Sequence, residues 1–339
     1  ETGLAAGDAI CRARAQAAGR AGTFVAWLSD TNNDAYCRLH GLGGQKADNC
    51  GQANLPAAAG PWVRTDGYPF AATIDEVVTN GKVYAPVAFD ESGAPISTSY
   101  FSATRPDGTQ HPSSATACGD WMSEASGTWV NVGSSVGTTS LWTSSGSVTC
   151  DQQTPLLCLQ TGVAPSLRIP AAQGKKAFLT SVTGTGELGS WADAGGETGL
   201  AAGDAICRAR AQAAGLANAD RFRAWLSDST IDARDRITSD GPWVRLDGVK
   251  IADDKADLVD GGLFAPINLT ETGSYLGNDA VWTGGNADGT RAANNCSDWS
   301  DTSVQGVAGA AASAARSWSD AWPSQVCSVA GSRLYCLED

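Results

Sequence analysis

The nineteen residues ETGLAAGDAICRARAQAAG fill positions 1–19 and return without a change at positions 197–215. A repeat of this length constrains the fold more than any composition does, because whatever one copy builds the other must build as well. Shorter matches follow in the same order. Ala26–Asp30 (AWLSD) recurs at Ala224–Asp228, and Gly60–Arg64 (GPWVR) at Gly241–Arg245. Tyr84-Ala-Pro matches Phe264-Ala-Pro, Asp107-Gly-Thr matches Asp288-Gly-Thr, and Cys118-Gly-Asp-Trp matches Cys296-Ser-Asp-Trp. The copies close alike, on Leu156-Leu-Cys-Leu and Leu334-Tyr-Cys-Leu. Between them lies a stretch of proline, small residues and basic charge, which is linker composition. The expected layout is a first domain over 1–162, a linker over 163–174 and a second domain over 175–339.

Within the second copy, Ala177–Val182 is an apolar, β-branched run that ends in Gly-Thr-Gly, the pattern of a strand entering a turn. The repeated segment reads as a helix that Asp204 caps and Gly215 stops, with Cys207 in its first turns and Cys11 at the same place in copy one. AWLSD reads as a short buried strand.

Ten cysteines accompany one Met and two His, and no CxxC pair occurs. Disulfides in an oxidising compartment are therefore expected rather than zinc. Four cysteines recur: Cys11, Cys118, Cys150 and Cys158, then Cys207, Cys296, Cys327 and Cys336. Cys37 and Cys50 lie in an insertion that only copy one has. Four cysteines allow three connectivities. A nested arrangement would join Cys207 to Cys336 around Cys296 to Cys327.

A net charge of −13 disfavours nucleic acid, anionic membrane and heparin-like partners. No apolar stretch is long enough for a membrane span, so no membrane insertion is expected, and residue 1 does not open a signal peptide, as in a processed chain. Catalytic signals are weak. His40 and His111 have no counterparts in copy two, no GxSxG elbow occurs, and Gly41–Lys46 lacks the spacing of a phosphate loop. Asp66 and Asp247 are carboxylates without a committing spacing. The chain is expected not to be an enzyme and to need no cofactor. The acidic run Asp253, Asp254 and Asp257 could supply oxygen ligands to calcium, although it lacks the alternation of an EF-hand loop.

The tryptophan pairs Trp27/Trp225, Trp62/Trp243, Trp121/Trp299 and Trp142/Trp318 recur and are expected in the core. Trp129, Trp282 and Trp322 recur less clearly, so they are candidates for exposed contacts.

The nested cysteines, the helix ending in AQAAG-Leu, Phe222-Arg-Ala-Trp-Leu-Ser, Val281-Trp-Thr-Gly, Asp288-Gly, Cys296-Ser-Asp-Trp and Leu334-Tyr-Cys-Leu-Glu together resemble endostatin. They are also similar to the endostatin-like domain of secreted bacterial proteins, some of them adhesins; both belong to the C-type-lectin-like fold. The resemblance spans most of copy two and copy one from its helix onward. It implies an α+β fold of two tandem disulfide-stapled domains, each a mixed twisted sheet with one or two helices and long loops. It implies the bridges Cys207–Cys336, Cys296–Cys327, Cys11–Cys158 and Cys118–Cys150, which leaves Cys37 with Cys50. The Glu-Pro-Asn, Gln-Pro-Asp and Trp-Asn-Asp triplets of calcium-dependent sugar binding are absent, as are endostatin's clustered zinc histidines. Ligand contacts are expected in the long-loop region Arg245–Thr290, at Asn268, Trp282 and Asp288.

The function so implied is a secreted or cell-surface, non-enzymatic adhesion protein that recognises a glycan or an extracellular protein. The alternative is a structural subunit of an extracellular filament, sheath or surface layer. In this fold the first strand lies beside the last, and copy one lacks a counterpart of Ala177–Val182. An unfilled sheet edge is therefore expected around Leu156–Leu159. It follows if that strand was removed, or if a neighbouring molecule supplies one and the chain self-assembles.

Overall fold

The computed structural model describes residues 1–112, 117–167, 169 and 172–339. The chain divides into two compact units, Glu1–Arg168 and Ile169–Asp339. It is a mixed α+β structure with several small sheets, few helices and five disulfides. Part of the expected linker, at 168, 170 and 171, lies outside the described residues.

In the second unit five short strands form one sheet, ordered Lys250–Ala252, Trp243–Arg245, Lys175–Leu179, Tyr335–Glu338 and Phe222–Ala224. Lys175–Leu179 is the central strand. It runs parallel to Trp243–Arg245, with Trp243 opposite Lys175, and antiparallel to the last strand, with Tyr335 opposite Leu179. Period-two alternation sends its side chains to both faces. Phe178 and Cys336 join Ile206 and Phe222 beneath the helix, whereas Leu179, Tyr335 and Leu337 join Trp225, Trp243 and Trp318 on the other face. A second sheet of Ala280–Trp282, Gln305–Ala310 and Trp322–Val326 completes the unit.

The strand begins at Lys175 and ends at Leu179, two to three residues earlier than the apolar run suggests. Only Phe222–Ala224 is a strand around AWLSD; Trp225 and Leu226 are buried beyond its end. The repeated helix also departs from expectation. It spans Gly199–Ala213, with Thr198 at its N-cap, so Asp204 lies inside it. Its carboxylate accepts from Ala224 N at 3.0 Å and from Arg236 at 2.7 Å, and this distant partner holds Asp204 within the helix.

The first unit repeats the helix as Gly3–Ala17 and the second sheet as Ser99–Phe101, Trp129–Ser134 and Gly146–Thr149. Its counterpart of the five-stranded sheet is instead two separate pairs. Phe24–Ala26 pairs with Cys158–Gln160, and Trp62–Val63 pairs with Pro69–Ala71.

Cys207–Cys336 and Cys11–Cys158 each tie the long helix to the last strand, while Cys296–Cys327 and Cys118–Cys150 close the second sheet. Cys37–Cys50 staples the insertion. Among the described residues no helix is long and apolar enough to cross a membrane. The five bridges agree with an oxidising, extracytoplasmic location.

Candidate binding site

The repeated Cys-x-Asp-Trp motif builds the most unusual backbone in each unit. Cys296, Ser297, Asp298 and Trp299 have φ of 54°, 51°, 56° and 67°, a full turn in the left-handed region. Cys118, Gly119, Asp120 and Trp121 repeat it at 54°, 63°, 55° and 66°. Such a turn costs an L-residue about 1–2 kcal/mol per position, so the surroundings must hold it. The disulfide anchors one end, and the buried indole of Trp299 anchors the other by donating to Ser227 O at 2.9 Å. Between them the Asp298 carboxylate accepts from Ser229 N at 2.7 Å and from its hydroxyl at 2.8 Å, while Asp298 N donates to Asn295 Oδ1 at 3.0 Å. Asp120 receives the same two bonds from Thr31, and Trp121 donates to Ser29 O.

In the second unit this turn forms one wall of a cleft of about 430 Å³, lined by Ser229, Arg291, Asn295, Ser297 and Asp298. Arg291 is half exposed, at 3.3 Å from Asp232. The cleft thus offers one cation, a carboxylate, hydroxyls and an amide on a backbone fixed by a disulfide. Such a set suits a polyhydroxylated or peptide ligand, and the rigidity lowers the ordering cost of binding.

A second cleft of about 450 Å³ gathers Lys175, Arg208, Arg221 and Arg223 against Asp220 and Asp339. Arg223 is already paired with Asp339 at 3.0 Å. These cations come from a strand, a helix and a turn, so no run in the sequence announces them.

The residues expected to contact ligand from the long-loop region are dispersed. Trp282 is fully buried: it packs edge-to-face on Trp299 at 6.1 Å and donates to Gly184 O. Its counterpart Phe101 packs the same way on Trp121, where both rings are partly buried against the core of the first unit. Asn268 is also fully buried and accepts from Arg245 at 2.7 Å. Asp288 is exposed, but it closes its own turn by accepting from Thr290 N and Oγ1, as Asp107 does for Thr109. Neither Trp282 nor Asn268 can reach a ligand. Trp129 remains exposed and Trp322 is partly so.

The acidic run caps a helical turn. Asp254 accepts from Asp257 N, Asp257 accepts from Asp253 N, and Asp253 pairs with Lys250. Partial burial, together with the neighbouring carboxylates, pushes the Asp257 pKa above its ordinary value. Among the described residues no three His, Cys, Asp or Glu side chains converge as metal ligands would.

Asp66 and Asp247 each clamp a buried arginine, Arg64 and Arg245. Burial opposes ionisation of Asp247, but the charge and hydrogen bonds of Arg245, with those from Tyr275 and Val249 N, outweigh it and hold the carboxyl low.

Both histidines lie in the first unit. Burial pulls the His40 pKa below its ordinary value, with Asp75 opposing, and burial and Arg105 lower that of His111. The unfolded chain then binds more protons below about pH 6.5, so stability is full above that value and falls as the pH drops through it. Thermal unfolding of the first unit should shift down between pH 7.5 and 5.5. That shift should shrink in His40→Phe, and the histidine-free second unit should move far less; equal shifts in both units would refute the assignment.

No protein-family model matches the chain, and no curated protein matches it. What the site can do therefore rests on its own geometry. The left-handed turn escaped the sequence reading because a Cys-Ser-Asp-Trp tetrapeptide has no propensity for that region; only its recurrence in both copies marked it.

Proposed function

We propose that the chain is a secreted or surface-exposed, non-enzymatic binding protein, built from two tandem endostatin-like, C-type-lectin-like modules, that recognises a glycan or an extracellular protein. The observation that carries this reading is the cleft walled by the left-handed turn Cys296–Trp299. Strained backbone persists where the surroundings over-determine it, and such places are enriched in ligand sites. Here a disulfide, a buried tryptophan and a carboxylate all serve one exposed polar surface. The conserved order of motifs between the copies and the nested bridges support the family reading.

Binding of the chain to arrays of glycans and extracellular-matrix proteins tests the proposal. A ligand captured by the native chain should bind Arg291→Ala about tenfold more weakly, with the thermal unfolding curve unchanged. Absence of any ligand on both arrays would overturn it, as would an unaltered affinity in the variant.

A further inference from the structure

Trp129 stands apart from the other tryptophans of the chain. It is 58% exposed, whereas the remaining eleven are buried or partly buried. It opens the strand Trp129–Ser134 in the three-stranded sheet of the first unit. Alternation turns Val130 and Val132 into the core, where both are buried, so Trp129 lies on the opposite face. On that face Asn131 is covered, donating to Ser144 Oγ and to Gly146 O, each at 3.1 Å. Trp129, at the start of the strand, is left bare.

The second unit shows that the fold does not require a tryptophan here. Phe101 lies opposite Val132 as Trp282 lies opposite Ala308, so Trp129 corresponds to Gln305. Met122, 70% exposed just after the left-handed turn, corresponds to Ser300. Both places in the second unit are exposed and polar.

The surroundings of the ring select what can cover it. Directly across the sheet is Thr149, whose hydroxyl donates to the exposed carboxylate of Asp151. Ser147, also exposed, stands diagonally opposite on the same face. From 106 to 167 the sequence has no Lys or Arg, and its only charged side chains are the carboxylates Asp107, Asp120, Glu124 and Asp151. An anionic ligand is therefore disfavoured at this sheet. A tryptophan offers at most about 250 Å² of contact, well short of the roughly 800 Å² per partner that a stable protein interface buries. What fits is a flat, uncharged group with an apolar face and hydroxyls at its edge. A pyranose ring is such a group: its C–H bonds carry partial positive charge toward the negative face of the indole, while its hydroxyls donate to Asp151.

We infer that Trp129 is the stacking platform of a separate subsite, in the first unit, for a neutral hexose or N-acetylhexosamine residue of a glycan. This rests on the binding role proposed above and narrows the ligand to an uncharged sugar.

The test is calorimetric titration of the whole chain with cellotetraose, mannotetraose and chitotetraose, and with the acidic tetragalacturonate. At least one neutral oligosaccharide should saturate with a Kd below about 1 mM. Its binding should shift one indole N–H resonance most, the one that is missing from Trp129→Tyr. Trp129→Gln, which copies the second unit, should leave thermal unfolding unchanged and weaken binding about tenfold or more, whereas Trp129→Tyr keeps a flat ring and should lose less. Tetragalacturonate should bind more weakly than the neutral ligand. The inference is overturned by no saturable binding of any neutral oligosaccharide up to about 10 mM, by an unaltered Kd in Trp129→Gln, or by tighter binding of tetragalacturonate. A glycan whose affinity falls in Arg291→Ala but not in Trp129→Gln would remove this subsite and leave the binding role standing. A loss in Trp129→Gln alone would support the subsite and count against the Arg291 cleft.

Discussion

Replacing both Cys207 and Cys336 by alanine is expected to destabilise the second unit by about 5 kcal/mol, because the bridge closes a loop of 129 residues in the unfolded chain. The inner bridge Cys296–Cys327, with a separation of 31, should be worth about 4 kcal/mol, and Cys37–Cys50, with a separation of 13, about 3 kcal/mol. A domain of this size is commonly stable by only about 5–15 kcal/mol, so loss of the outer bridge brings the second unit close to unfolding. The effect exceeds loop entropy alone in one respect: Cys207 anchors the helix that covers Phe178, Phe222 and Trp282. Denaturant titration of the three paired variants, each compared with the same unit of the native chain, should give losses of stability in the order outer, inner, insertion, the outer largest. Equal losses for all three would show that loop closure does not set the stability of this fold.

The second large effect belongs to Asp204→Ala. The Arg236 guanidinium is almost wholly buried, donating to Ala224 O, to Leu226 O and to the Asp204 carboxylate. Removing the carboxylate leaves a buried cation with carbonyl partners only, a change that costs about 3–5 kcal/mol. Asp204→Asn keeps an acceptor for Ala224 N and should lose clearly less. The matching Asp8→Ala in the first unit should also lose less, since Asp8 is more exposed beside Arg38. Denaturant titrations of the three variants check the ranking. A neutral Asp204→Ala would mean that Arg236 finds water or another partner.

These two cases also show how far the sequence could be read. The repeat and the cysteines locate the covalent frame, because identical residues at identical spacing must build identical elements. The role of Asp204 was hidden, since a short polar side chain ahead of an alanine-rich run looks like an N-cap. Its actual partner, Arg236, lies thirty-two residues away and leaves no local mark. Trp282 looked unmatched because its counterpart is a phenylalanine, although both fill the same edge-to-face place against a tryptophan. Asn268 looked available because a loop asparagine is ordinarily solvated; Arg245, twenty-three residues earlier, takes it into the core. The basic cleft escaped notice because Lys175, Arg208 and Arg223 converge only after folding.

The two units differ in how their repeated Trp-Val strand is paired, an asymmetry that amide hydrogen exchange reads directly. In the second unit Trp243–Arg245 is paired on both sides, whereas in the first unit Trp62–Val63 is paired on one. Segment-resolved exchange of the intact, oxidised chain should find residues 60–65 exchanging about tenfold or more faster than residues 241–246, while the two long helices, tied by equivalent disulfides, stay protected. Equal protection of the two strand segments would contradict the account, because it would mean that the central place of the first sheet is filled.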